Sequence, residues 1–109
     1  MKLILAIVQD KDSNRLANEF IDANIRATKL SSTGGFLKAG NSTFIIGLED
    51  GRIDEALELI KKTCQSRKQY VSTPMSLDVS LEGQVPYPVE VEVGGATVFV
   101  LPIEQFQRY

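Results

Sequence analysis

The stretch GFLKAGNSTFIIG, Gly35 to Gly47, decides how the rest of the chain is read. Its first eight residues match the phosphate-binding pattern G-x-x-x-x-G-K-[ST] at every fixed position but one, where Asn41 stands in place of the lysine. That pattern works only between a strand and a helix, because the helix N-terminus must face the phosphates. Here the next residues, STFIIG, are β-rich and predict a strand at about 42 to 48. The glycine-rich segment therefore joins two strands, and a P-loop is ruled out.

Working outward, IRATKLS (25 to 31) is the strand before the glycines, though its alternation does not say which face is buried. Upstream, KLILAIVQ (2 to 9) is continuously apolar and predicts a central strand covered on both faces or nearly so. It is too short to cross a membrane and makes a poor signal peptide. Asp10 and Asp12 offer N-caps for a helix over roughly 11 to 24, with Leu16, Ala17, Phe20 and Ile21 as its apolar stripe. Downstream, EDGRIDEALELIKKTCQ sets Ile53, Ala56, Leu57, Ile60 and Cys64 on one helical face, acids early and lysines late, as the helix dipole prefers.

Residues 67 to 90 contain Pro74, Pro86 and Pro88 and lack helical period, so they predict a long connection with room for a short hairpin. The last strong strand is EVEVGGATVFVLP, broken at Gly94-Gly95 into a hairpin or a bulged strand, and the tail IEQFQRY has room for one short helical turn. The order β-α-β-β-α-(long loop)-β is that of a ferredoxin-like α+β fold: a four-stranded antiparallel sheet with both helices on one face. At 109 residues and 43% hydrophobic composition, the chain fits one domain, 1–109.

Composition removes several chemistries. There is no histidine, so histidine-based catalysis and histidine metal sites are excluded. One cysteine, Cys64, allows no internal disulfide and no cysteine zinc site, and it suits a cytoplasmic protein. On the apolar stripe it reads as a small buried hydrophobe, because no cation is evidently placed to lower its pKa. A formal net charge of −2 gives no sequence-wide field for nucleic acid. No metal and no cofactor is predicted.

Composition alone leaves both a simple hairpin and a ligand site open for the glycine-rich segment. Gly40-Asn41 suits a turn. In the ligand reading, bare N–H groups and hydroxyls bind phosphate, Arg26 or Lys29 supplies charge, Phe36 and Leu37 pack on a base, and Asn41 reads an adenine edge.

The run TKLSSTGGFLKAGNSTF (28 to 44), the opening MKLILAIVQDKD and the late VEVGGATVFVLPIEQF together resemble the PII-like cyclic di-AMP receptor family, over essentially the whole chain. The resemblance implies a ferredoxin-like subunit in a PII-like homotrimer, without enzymatic activity. One cyclic di-AMP is expected in each cleft between subunits, and a protein partner downstream. It also implies a short loop before the third strand and a long one after the second helix. Carried over, the ligand contacts are Arg26, Thr28, Gly35, Phe36, Leu37, Asn41, Gly47 and Phe99, the last from a neighbouring subunit. The family's C-terminal glutamine falls on Gln105, Gln107 or Arg108, and Arg108 is taken as the contact.

Three rival functions are open to this fold. An RNA-recognition module needs exposed aromatics on the central strands, where only Phe44 is offered. A small phosphatase needs an anion-binding loop after the first strand, where VQDKDSN is acidic and has no glycine. A PII-like trimeric sensor of another adenine nucleotide or small molecule shares most of the same contacts.

Overall fold

The computed structural model describes residues 1–31, 40–72 and 88–109. The elements are β1 (Lys2–Gln9), α1 (Asp10–Asp22), β2 (Ala27–Ser31), β3 (Asn41–Leu48), a 3-10 turn (Asp50–Arg52), α2 (Ile53–Cys64), β4 (Arg67–Ser72), β5 (Pro88–Val93) and β6 (Ala96–Pro102). The main sheet runs β2-β3-β1-β6, with β1 antiparallel to both its neighbours. This is the ferredoxin-like order, as the sequence predicts.

The period-2 alternation of the strands sorts the sheet into two faces. Ile4, Ala6 and Val8 of β1 and Phe44 and Ile46 of β3 are buried in one cluster with Leu16 and Phe20 of α1 and Ile53, Ala56, Ile60 and Cys64 of α2. Both helices therefore cover the same face. Phe20 meets Phe44 edge-on, ring centroids 5.7 Å apart, the geometry that aromatic quadrupoles favour. Among the described residues the helices cover one face of the β1 run, not both: Leu3, Leu5 and Ile7 lie on the other.

The α1 stripe is narrower than predicted. Leu16 and Phe20 are buried, but Ile21 is 71% exposed. Neither Asp10 nor Asp12 is the N-cap: Gln9 holds that place without a side-chain bond, and both acids sit in the first turn. Their carboxylates serve tertiary partners instead. Asp10 Oδ1 accepts the Ser42 hydroxyl at 2.7 Å, and the buried Asp12 takes Arg67 Nη2 at 2.8 Å and Arg15 Nη2 at 3.2 Å.

The ends of the long connection are strands: β4 and β5 pair antiparallel from Arg67↔Val93 to Ser72↔Pro88. Gly94-Gly95 is accordingly neither a hairpin nor a bulge. It is the corner where the chain leaves the β4–β5 ribbon for the main sheet. Both glycines have positive φ, +85° and +97°. At Gly94 a Cβ would stand 2.7 Å from the Gln65 carbonyl oxygen, so the position also needs the missing side chain. Gly94 N–H donates to Gln9 Oε1, and Gly95 N–H to the Cys64 carbonyl. After Pro102 the tail makes no helical turn. It runs alongside Met1, whose carbonyl accepts the Ile103 N–H at 3.3 Å.

Cys64 is fully buried, and burial, followed by the Asp12 charge, pushes its thiol up to about 11. Two cations do lie near it, Arg15 and Arg67, but both are turned to Asp12, so desolvation dominates. At pH 8 only about one thiol in a thousand is ionised. Ellman's reagent is expected to leave the native protein unmodified and to titrate one thiol once it is unfolded. Rapid native labelling would show that the site opens.

Candidate functional site

The sheet face away from the helices carries Leu30, Ile7, Phe99 and Leu101, which are 36 to 50% exposed. At one end of this face lies a cleft of about 340 Å³ lined by Met1, Leu3, Arg26, Thr28, Ile45, Gly47, Ile103, Phe106 and Arg108. Four of the residues singled out from the sequence, Arg26, Thr28, Gly47 and Arg108, meet here.

Local structure explains how each arrives. Asn24, at φ 57°, ends α1 in the left-handed region and turns the chain toward β2. Arg52 holds this corner, donating from Nη2 to the Ala23 carbonyl at 2.7 Å and from Nη1 to the Asn24 carbonyl at 3.1 Å, while Glu55 steadies the guanidinium. Arg26 follows directly. Thr28 pairs with Ile45, and Gly47 with Leu3, so they share the open face. A Cβ at Gly47 would come within 3.6 Å of the Phe106 ring and 3.8 Å of Ile103, so the tail folds over the place where a side chain is missing.

Among the described residues the cleft is one-signed: two guanidiniums line it and no carboxylate does. Among the described residues neither Arg26 nor Arg108 makes a salt bridge. Such a site suits an anion with several acceptor oxygens, above all a phosphate. The Met1 amino group contributes less, being 2.9 Å from Asp50, whose carboxyl it holds below the usual range.

The remaining residues stand apart. Phe99 is half exposed on β6, opposite Leu5, about 10 Å across the sheet from β3. Asn41 lies at the far end of β3, about 20 Å from Gly47, in a second groove with Gln9, Gly94, Gly95 and Thr97. Gly35, Phe36 and Leu37 lie outside the described residues. Of the C-terminal candidates, Arg108 lines the cleft, and neither Gln105 nor Gln107 is among its lining residues.

Sequence reasoning missed Phe106, Ile103, Met1, Leu3 and Ile45. For Phe106 a signal existed: an aromatic among polar residues in the tail. The others are ordinary apolar residues until the register places them.

A family model described as a cyclic-di-AMP receptor matches residues 1–109. The chain belongs to that family. The cyclic-di-AMP receptor family is one of receptors rather than enzymes. The chain is also similar to a functionally unknown protein from Pediococcus pentosaceus ATCC 25745, known from its crystal structure. The two are 54% identical with a TM-score of 0.80, over 99% of this chain and 96% of that one. Among the described residues no acid, cysteine or histidine cluster is arranged to hold a metal, and no helix is long and apolar enough to cross a membrane.

Proposed function

We propose that this receptor binds cyclic di-AMP in clefts between the subunits of a cytoplasmic homotrimer and relays occupancy through its loops to a partner protein. The observation that carries the reading is the cleft. Two arginines with no ion-pair partner among the described residues, a threonine hydroxyl and a glycine that lets a ligand reach the backbone are gathered there. The separation of Asn41 and Phe99 from that cleft within one chain supports a shared site. A second subunit packed on the open face supplies the missing wall and covers exposed leucines and Phe99.

The rival functions find less here. Phe44, the aromatic an RNA module would need on a central strand, is buried under the helices. The β1–α1 junction, where a phosphatase would hold its anion, presents Asp10 and Asp12.

Calorimetric titration with cyclic di-AMP, cyclic di-GMP and ATP separates the ligand readings, with sedimentation fixing the mass. The expected result is a trimer that binds cyclic di-AMP selectively, one per subunit. Equal affinity for ATP would instead favour a sensor of another adenine nucleotide. Asn41→Ala and Phe36→Ala are expected to weaken binding about tenfold or more without loss of fold. For the relay, saturating ligand should change hydrogen exchange in residues 67–90 or in the glycine-rich loop. Unchanged protection in both would remove that part of the proposal.

A further inference from the structure

We infer that Asp10 is a positioning residue for ligand binding: it anchors both neighbours of Asn41 and so sets where the Asn41 amide stands. The inference rests on the cyclic di-AMP reading above. Asp10 itself lies at the start of α1, beneath the end of β3, and needs no contact with the ligand.

Three observations converge on it. The Ser42 hydroxyl, 1% exposed, donates to Asp10 Oδ1 at 2.7 Å. The Asp10 N–H donates to the Gly40 carbonyl at 3.0 Å. The space where Gly40 would carry a Cβ is taken by Oδ2 of the same carboxylate. Asn41, between the two anchored residues, is paired with Gln9 and alternates to the opposite face from Ser42. A hydroxyl held inward at 42 therefore turns the amide at 41 outward.

The arrangement also explains why the chain places glycine at 40. Any side chain there must shift the Asp10 carboxylate, whose other oxygen holds Ser42. The near-P-loop match at Gly40-Asn41-Ser42 thus has a local cause, a strand start packed against an acid, rather than a phosphate cradle.

Titration with cyclic di-AMP tests this in four variants, each checked for wild-type melting behaviour and mass. Asp10→Ala is expected to weaken binding about tenfold, the worth of one well-placed hydrogen bond that is no longer aimed. Asp10→Asn keeps an oxygen able to accept from Ser42 and should stay within about threefold of wild type. Asp10→Ala with Ser42→Ala leaves no orphaned hydroxyl in the core, so its fold is secure, and it should bind no better than Asp10→Ala alone. Gly40→Ala should weaken binding to the same degree, with no further loss when combined with Asp10→Ala.

Wild-type affinity in the double variant would overturn the inference, as would equal losses in Asp10→Asn and Asp10→Ala. A wild-type protein that does not bind cyclic di-AMP would instead overturn the functional proposal.

Discussion

Arg67→Ala is expected to lower the unfolding free energy by about 2 to 3 kcal/mol, a melting shift on the order of 10 °C for a domain of this size. The reason is the group it leaves behind. Asp12 is 1% exposed, and its carboxylate is held by Arg67 Nη2 at 2.8 Å and Nη1 at 3.4 Å. Stripping a partner from a buried charge ordinarily costs more, about 3 to 5 kcal/mol. Two things reduce it: Arg15 remains at 3.2 Å, and the Arg67 side chain is itself 35% exposed, so water enters when it is removed. Hydrogen bonding to Asp12 raises the Arg67 pKa further, so the guanidinium is charged at any working pH.

The double variant Asp12→Ala/Arg67→Ala should cost less than the sum of the single changes, because it removes the buried charge together with its partner. Arg67→Lys should restore only part of the loss, since one ammonium cannot span both carboxylate oxygens. All variants are compared at one protomer concentration. The effect should concentrate at the root of the β4–β5 ribbon, which this pair and the Gly94 contact with Gln9 tie to the domain. Faster amide exchange in Gln69 and Val91 is the expected sign. An Arg67→Ala protein within about 0.5 kcal/mol of wild type would show that the pair is loose in solution.

Much of this fold is legible in the sequence because period and element agree. The α2 stripe from Ile53 to Cys64 and the strand after Asn41 both stand where their patterns put them. What the pattern withholds is partner identity. Residues 90 to 102 read as a strand broken at its glycines into a hairpin or a bulged strand, yet Val93 pairs with Arg67 and Ala96 with Val8, in different sheets. Alternation says that a segment is a strand and is silent about which edge it joins.

The same gap explains Asp10 and Asp12. An acid before an apolar helix is the local signature of a cap, and only the folded chain shows that Ser42 and Arg67 claim those carboxylates. Likewise the continuous apolar run of β1 cannot tell which of its faces the helices cover. For the candidate site, Arg26, Thr28 and Gly47 stand out through the resemblance to a known family, and the structure brings them together. Phe106 could not be placed so, because its role depends on a tail that doubles back past Met1.

Removing both guanidiniums from the cleft, Arg26→Ala with Arg108→Ala, is expected to lower affinity for cyclic di-AMP by more than about a hundredfold. A charge-assisted hydrogen bond is worth about 1.5 to 3 kcal/mol, so each single change should cost roughly tenfold to a hundredfold. Neither residue has an ion-pair partner among the described residues, and both are exposed, so stability should move by no more than about 0.5 kcal/mol. That contrast with Arg67 is what makes the pair informative: one arginine holds the fold, the other two face a void. Arg26→Lys should give an intermediate loss, keeping the charge but not the planar fork. The wild-type affinity should fall with added salt more steeply than that of the double variant. Glycine 47 gives the complementary test, because a methyl there meets Phe106 and Ile103 only at ordinary contact distance. Gly47→Ala should therefore fold normally yet bind weakly, by filling the cleft instead of discharging it. If the double arginine variant bound within about threefold of wild type, the phosphates would have to sit elsewhere on the molecule, and the cleft would lose its claim to be the site.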